Sequence, residues 1–445
     1  MMKTLRTQSG DKMRLAVIGT GIAGNAAAYA LSTCTSHEIT VFDKEARAGG
    51  HSATVDIDYD GKRLSVDTGF IVYNEVNYPL LTSLFNHLGV ETEFSDMSFS
   101  LSADHGRFEW CGRTKNPVGG LFAQRSNLFS PGYLKMLFEI LRFNRTALSD
   151  LKDNRLDDVS LGDYLVRHRF SRKFRNDYLL PMGAAIWSMS TQAMLNFPAR
   201  TFIAFFNNHH LLGFAAPEWR TVRGGSRTYV NKMIAAFQDR LRLGIGVKSV
   251  ERHTDFVRLS LSDGTEETFD GVIFASHTDE TLSILGEGAT AEERAVLGAI
   301  PYKPNKVYLH RDQRFMPKRK RAWAAWNVLQ GKGLSDDLCV TYWMNKLQNL
   351  DYDRPVFVTL NPQTPPAEES VFGIYTYDHP QFDAAAIEAQ PKLGRLQGKN
   401  RSWFAGAWTR YGFHEDGLMS GLDVAAHFGA LPDWALRPRL ATAAE

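Results

Sequence analysis

Residues 14–43 read RLAVIGTGIAGNAAAYALSTCTSHEITVFD, and this run constrains the chain more than any other. Residues 14–18 predict a short buried strand. Gly19, Gly21 and Gly24 follow, then small residues that predict a helix, then an apolar strand ending at Asp43. Gly19 allows a tight turn, Gly21 lets a phosphate approach the backbone, and Gly24 lets helix and strand pack closely. The helix N-terminus adds unpaired N–H groups and the positive end of a dipole. Asp43 stands 19 residues after Gly24, near the ~20 of an acid that binds ribose hydroxyls. A glycine turn in an ordinary α/β domain leaves that acid unexplained. Strand, glycines, helix, strand and acid in this order predict a dinucleotide site.

The chain has 445 residues, enough for two domains. Its 51 basic and 49 acidic residues nearly cancel, which removes the electrostatic case for nucleic acid as a partner. Cys34, Cys111 and Cys339 are far apart and form no CxxC pair, so neither a disulfide framework nor a metal site is expected. MMKTLRTQSGDKM lacks the apolar run of a signal peptide, and no stretch is apolar enough to span a bilayer. A cytoplasmic setting is the expectation, with contact at a membrane surface left open.

Further along come Lys44, Arg47, Gly49, Gly50 and His51, then VDTGF at 66–70. A second glycine pair soon after the ribose acid resembles the extended FAD fingerprint of the flavin-containing amine oxidase and phytoene desaturase superfamily. TVRGGSR at 221–227 before a helix-like run resembles the element that returns the superfamily's chain to its FAD domain. The strand LGIGVKSVERH would then bring the backbone of Val247 to the adenine. WFAGAW followed by GLMSGLDVAAHF resembles the last FAD element, a strand ending at Gly406 and a helix starting near Gly417.

The resemblance implies non-covalent FAD held by Gly19, Gly21, Ala23, Gly24, Asp43, Lys44, Arg47, Gly49, Gly50, His51, Val247, Gly406, Ala407, Gly417, Leu418 and Met419. Leu418 and Met419, at a helix N-terminus, would face the flavin edge that gains negative charge on reduction. The superfamily often has an acid directly after the glycine, where this chain has Ala407. Glu415 or Asp416 either replaces that acid or caps the helix.

The fold implied is α/β: a Rossmann-like FAD-binding domain interleaved with an α+β substrate domain. The FAD-binding domain is expected over 1–95, 215–285 and 396–445, and the substrate domain over 96–214 and 286–395. DTGFIVYNEVNYPLL, LPMGAAIWSMS, VTYWMNKLQNL and HEDGLMSG narrow the resemblance. They are similar to a subgroup found with cyclopropane-fatty-acid-synthase-like methyltransferases. That implies a fatty acyl or phospholipid substrate and a lipid methyltransferase as partner.

YLKMLFEILRFNR at 133–145 puts Leu134, Leu137, Phe138 and Leu141 on one helical face. It reads either as a core-facing helix or as an interfacial helix that admits a lipid. Lys318–Arg321 beside AWAAW reads as a headgroup contact or as a solvated hairpin tip.

The expected catalytic residues are Lys306, Tyr342 and His210. In amine oxidases a lysine on a substrate-domain strand holds a water at flavin N5, and in IPYKPNKVYL the matching position is Lys306. Tyr342 and Trp343 alternate on a strand, so one of them faces the ligand. His209 and His210 are a general-base pair or a polar turn. No second GxGxxG is present for NAD(P)H, so electrons would leave to oxygen or a carrier. A desaturase or oxidase of acyl chains is the leading reading. The alternatives are a double-bond isomerase, an amine oxidase using Tyr411 and Phe413 as an aromatic sandwich, and a flavin-binding partner without turnover.

Overall fold

In the computed structural model the described residues are 12–112, 117–156, 159–187, 189–213, 217–331 and 338–442. The N-terminal run read for a leader lies largely outside them, as does the boundary expected at 214/215.

Strand Arg14–Ile18 is apolar on both faces because it is covered on both. Leu15 and Val17 join the core around helix Ile22–Cys34, while Ala16 and Ile18 join a second core on the other side. The strand pairs in parallel with Glu38–Asp43 and with Gly271–Phe274. Leu241–Leu243 and Ser402–Phe404 extend this into a five-stranded parallel sheet. An antiparallel sheet of Val247–Arg252, Val257–Leu261 and Glu266–Phe269 covers the second face. The run 243–253, expected as one strand, is therefore divided between two sheets. Gly244 turns the chain at φ 72° before Val247–Arg252 begins.

The other domain is built on a seven-stranded sheet. Its order is Val371–Pro380, Tyr302–His310, Phe357–Leu360, Cys339–Trp343, Trp326–Gln330, Phe99–Ala103 and Phe108–Gly112. Phe99–Ala103 from the first insert pairs in parallel with Trp326–Gln330 from the second. The two inserts thus form one sheet, with helices including Pro131–Lys152 and Ala199–Asn208 packed into a shared core. The architecture is the α/β Rossmann-like fold with an interleaved α+β domain.

The borders of the second insert differ from the expectation at 285 and 396. Val296, Leu297, Ile300, Ala386 and Leu393 share a core with Phe274 and Phe404. Helix Ala291–Leu297 and the turn at 390–395 therefore pack with the nucleotide-binding sheet. Among the described residues no helix is long and apolar enough to cross a membrane.

Candidate functional site

The glycine loop sits where strand Arg14–Ile18 meets helix Ile22–Cys34. A Cβ on Gly24 would overlap the Gly19 carbonyl oxygen, and one on Gly19 would lie 2.8 Å from the Ala275 carbonyl oxygen. Gly21 is different: no heavy atom lies within 4 Å of the place its Cβ would take. The space beside it is open. Gly49 (φ 114°) and Gly50 fold a second loop over the first, so that a Cβ on Gly50 would stand 3.0 Å from the Gly21 Cα. Arg47 braces this loop by donating to the Gly50 carbonyl at 2.8 Å.

Asp43 ends its strand beside the loop. Its Oδ2 accepts from the Thr20 amide at 2.8 Å and from the Thr20 hydroxyl, and its Oδ1 accepts from the Glu45 amide. Thr20, which sequence reasoning passed over as a spacer between glycines, ties the acid to the turn. Lys44 is ion-paired with Glu280, which fastens the strand end to helix Thr278–Leu285. The Ile245 amide donates to the Asp43 carbonyl at 3.0 Å, so Val247 enters its strand two residues from the acid.

At the other end of the chain, helix His414–Ala426 begins three residues earlier than expected. The Asp416 carboxylate accepts from the amides of Tyr411 (3.2 Å) and Phe413 (2.9 Å) and so fixes the start. This corrects the placement of Leu418 and Met419: they lie in the second turn, and Leu418 is buried in the core rather than standing at the helix N-terminus. Glu415 accepts from the Leu80 and Leu81 amides, at 2.7 and 2.9 Å, in the first turn of helix Pro79–Leu88. Burial pushes its carboxyl up to about 8 and that of Asp416 up to about 6. Both acids are engaged in local structure, so neither stands in for the acid missing at Ala407.

The glycines of this segment serve packing. A Cβ on Gly417 would meet Ile22, and one on Gly421 would overlap the Ala23 carbonyl. Helices Ile22–Cys34 and His414–Ala426 therefore touch through backbone, with their first turns side by side. The Gly406 amide donates to Ser420 Oγ at 3.0 Å, and Ala407 lies against Gly417.

Beyond the glycine pair, rings from three segments converge. The His51 ring lies 5.1 Å from Tyr377, 5.5 Å from His379 and 6.2 Å from His277. Tyr377 shares a hydrogen bond with Thr68 at 2.7 Å, and His277 stacks on Tyr302 at 4.3 Å. Burial, reinforced by the neighbouring imidazoles, holds His51 well below the usual histidine range and His379 at about 4. Both imidazoles are neutral near pH 7. None of Thr68, His277, Tyr377 and His379 was singled out from sequence; the alternation Tyr375, Tyr377, His379 on one strand was the available signal.

The expected catalytic residues fare differently. Lys303 pairs with His379 across the sheet, and Lys306 with Thr376. Directly paired residues share a face and neighbours alternate, so His379 and Tyr377 place Lys303 and Asn305 toward the site. Lys306 points to the opposite face, exposed, with its ammonium 5.2 Å from the Tyr308 ring centroid. Lys303 instead lines a cavity with Ala184, Met189, Leu338, Val340, Leu360 and Asn361. Tyr342 shares the face of Val340 and packs edge-on against Trp326 at 4.7 Å, while Trp343 turns toward Trp323 and Tyr352. His210 is exposed in a left-handed turn at φ 52°. Its neighbour His209 is the one turned inward, stacked on Phe205 at 3.8 Å and near Phe413 at 5.3 Å, and burial lowers it to about 4. Phe413 also stacks on Phe205, at 4.9 Å.

These residues fit an FAD. The open space at Gly21 suits a diphosphate. His51 Nε2 and Trp408 Nε1 are buried without a protein partner, one beside the glycine pair and the other beside Gly406 and Ala407. Placed beside these glycine turns, a buried polar atom without a protein partner suits a ligand contact. Among the described residues no cluster could hold a metal ion.

Comparison with known proteins agrees. The sequence pattern of the family described as flavin containing amine oxidoreductase matches residues 22–346. The fold is shared with a CLA-producing fatty acid isomerase from P. acnes, at 14% identity over 94% of this chain and 98% of that one, TM-score 0.65. It is shared with putrescine oxidase bound to putrescine, at 15% identity over 94% and 99%, TM-score 0.64. Cyclohexylamine oxidase from Brevibacterium oxydans IH-35A is similar at 14% identity over 94% and 98%, TM-score 0.66. Among curated proteins, none matches the chain by sequence. With the family pattern covering most of its length over a cradle built for a dinucleotide, the chain belongs to the flavin-containing amine oxidoreductases and is an FAD-dependent oxidoreductase.

Proposed function

We propose that the enzyme oxidises an unsaturated or methyl-branched fatty acyl chain, free or in a phospholipid, and passes the electrons to oxygen or a carrier. The observation that carries this reading is the chemistry around Lys303, which pairs with His379 across the sheet: Ala184, Met189, Leu338, Val340 and Leu360, with Asn361, line a small cleft with it. The cleft is water-sized here, about 10 Å³, and its lining is mostly of the apolar kind an acyl chain prefers. A protonated amine would meet the like charge of Lys303. It would also want a carboxylate, and the buried acids of this region are engaged: Asp67 by Thr54, Ser226 and Gln348, Glu415 by Leu80 and Leu81, Asp416 by Tyr411 and Phe413. The Lys303 ammonium suits an anionic carboxylate or phosphate at one end of the substrate.

Bound FAD supplies the two-electron acceptor. The chain's own residues bind and orient. The loop at Gly19–Gly24, the Gly49–Gly50 turn and Arg47 hold the diphosphate, and Asp43 the ribose. Lys303 and the apolar wall align the acyl chain. Loss of a hydride from one carbon and a proton from its neighbour leaves a new double bond. His379, neutral near pH 7 and paired with Lys303 across the sheet, is the base this reading offers for the proton, a weak one because burial opposes its charged form. A lipid methyltransferase that makes the methyl-branched chain is the partner this reading implies.

The test mixes the flavin-loaded enzyme anaerobically with phospholipids carrying unsaturated or methyl-branched chains, followed by lipid analysis. Flavin bleaching with a new double bond is expected, and readmitted oxygen or an added carrier restores the colour. Product without lasting bleaching makes the enzyme an isomerase, because the hydride returns. Bleaching by amines but by no lipid overturns the proposal.

A further inference from the structure

Helix Pro131–Lys152 has two faces of opposite character. Tyr133, Met136, Phe143 and Ala147 are buried in the substrate-domain core. Its two acids are turned inward as well. Glu139 accepts from Ser171, and Asp150 from the Tyr164 hydroxyl at 2.9 Å. On the outward face Leu134, Phe138, Leu141 and Leu148 follow one another at helical spacing, with Phe138 67% exposed. The short turn Arg125–Phe129 just before the helix adds Leu128 and Phe129, the latter 86% exposed. Lys135, Arg145 and Lys152 stand outward among these apolar residues, and none of them makes an ion pair within the described residues. No carboxylate of the helix shares that face.

We propose that this face docks on the surface of an anionic phospholipid bilayer. The rings of Phe129 and Phe138 and the side chains of Leu134 and Leu141 enter the headgroup boundary, and Lys135, Arg145 and Lys152 meet lipid phosphates. Charge selects this occupant. An exposed apolar ridge calls for a cover, and the charges the helix sets within it are cations, while the acid at its end, Asp153, is paired with Arg155. A second copy of the chain would bring the same cations face to face, which opposes association. A bilayer with negative headgroups satisfies both halves of the surface at once. The inference deepens the acyl-chain reading, since it brings the enzyme to where such chains lie, and it is tested without turnover.

The experiment sediments the flavin-loaded enzyme with vesicles of saturated phosphatidylcholine, with and without phosphatidylglycerol. Binding to the phosphatidylglycerol vesicles, weakened by salt, is expected. The triple variant F129S/F138S/L141S changes only exposed positions and is expected to lower partitioning by about tenfold or more, with flavin spectrum and melting temperature kept. K135E/R145E is expected to erase the preference for phosphatidylglycerol. Equal sedimentation of the parent and both variants overturns the proposal. So does a parent dimer in sedimentation velocity that the triple variant converts to monomer, because the face would then belong to a second copy. Absence of vesicle binding alongside turnover of detergent-dispersed acyl substrate removes the docking surface and leaves the substrate reading standing. Vesicle binding without turnover of any lipid does the reverse.

Discussion

Gly21 and Gly24 stand three residues apart and do different work. At Gly24 the chain touches itself, whereas at Gly21 it faces open space. Gly21→Ala should therefore give a stable, folded protein that has lost most of its yellow colour, with a melting temperature close to that of the flavin-free parent. Gly24→Ala should lower the melting temperature of the flavin-free protein itself, because the new methyl must displace the Gly19 carbonyl. Absorbance and thermal unfolding of both apoproteins check this. His310 offers a second test at this scale. It is fully buried, its Nδ1 accepts from the Asp312 amide at 3.0 Å, and its Nε2 meets Thr359 Oγ1 at 2.7 Å. Burial lowers it to about 4 from an ordinary 6.5. The folded state resists a proton that the unfolded chain takes up below 6.5, so this group costs stability as pH falls from 6.5 toward 4. Between pH 7 and pH 5 the penalty is on the order of 2 kcal/mol. His310→Gln should lower stability at pH 7 and shrink the difference between urea unfolding at pH 7 and at pH 5. An unchanged difference would count against a neutral, buried imidazole.

At the scale of one strand, Tyr302–His310 shows where sequence reading stopped. Lys303 and Lys306 are three apart, so a period of two puts them on opposite faces, and the resemblance singled out Lys306. Nothing in the residues says which face is inward. Val307 and Leu309 are buried on one side, and Tyr308 and His310 are buried on the other. Only the pairing with Tyr377 and His379 decides it. Lys303→Met should raise the substrate concentration that gives half-maximal flavin bleaching by about tenfold or more, while Lys306→Met should change it less than twofold; stopped-flow bleaching separates them. The glycine-rich elements were legible because each glycine answers a local steric demand. Gly417 was expected at the flavin, whereas what it and Gly421 approach is helix Ile22–Cys34. The histidine cluster was not legible, since His51, His277 and His379 come from segments far apart in the chain and meet only through the fold.

Across the molecule, Asp67 joins parts that sequence reading assigned to separate regions. It accepts from Thr54 in the neighbouring strand, from the Ser226 amide and hydroxyl after the Gly224–Gly225 turn, and from Gln348 of the substrate domain. Burial raises its carboxyl to about 6 despite these donors. Asp67→Ala should destabilise the protein by about 3–5 kcal/mol, because it leaves several buried donors unpaired at once. Asp67→Asn, which keeps the shape and loses acceptors, should cost less. Urea unfolding of the two variants, followed by flavin release and by tryptophan fluorescence, should show both signals moving together, because one residue holds both domains. The interleaving itself was legible, whereas the borders near 285 and 396 were not. Helix Ala291–Leu297 is amphipathic enough to pack on either domain, and tertiary contact with Phe404 chooses.

The contact of helix His414–Ala426 with helix Ile22–Cys34 also sets a temporal order. The cradle needs backbone from residues 19–50 and from 406–421 in one place. While the chain is still being synthesised, its first hundred residues carry the fingerprint but lack the wall that Gly417 and Gly421 bring against Ile22 and Ala23. On this cradle, cofactor capture waits until helix His414–Ala426 has been made, so a nascent chain stopped before it should retain no flavin.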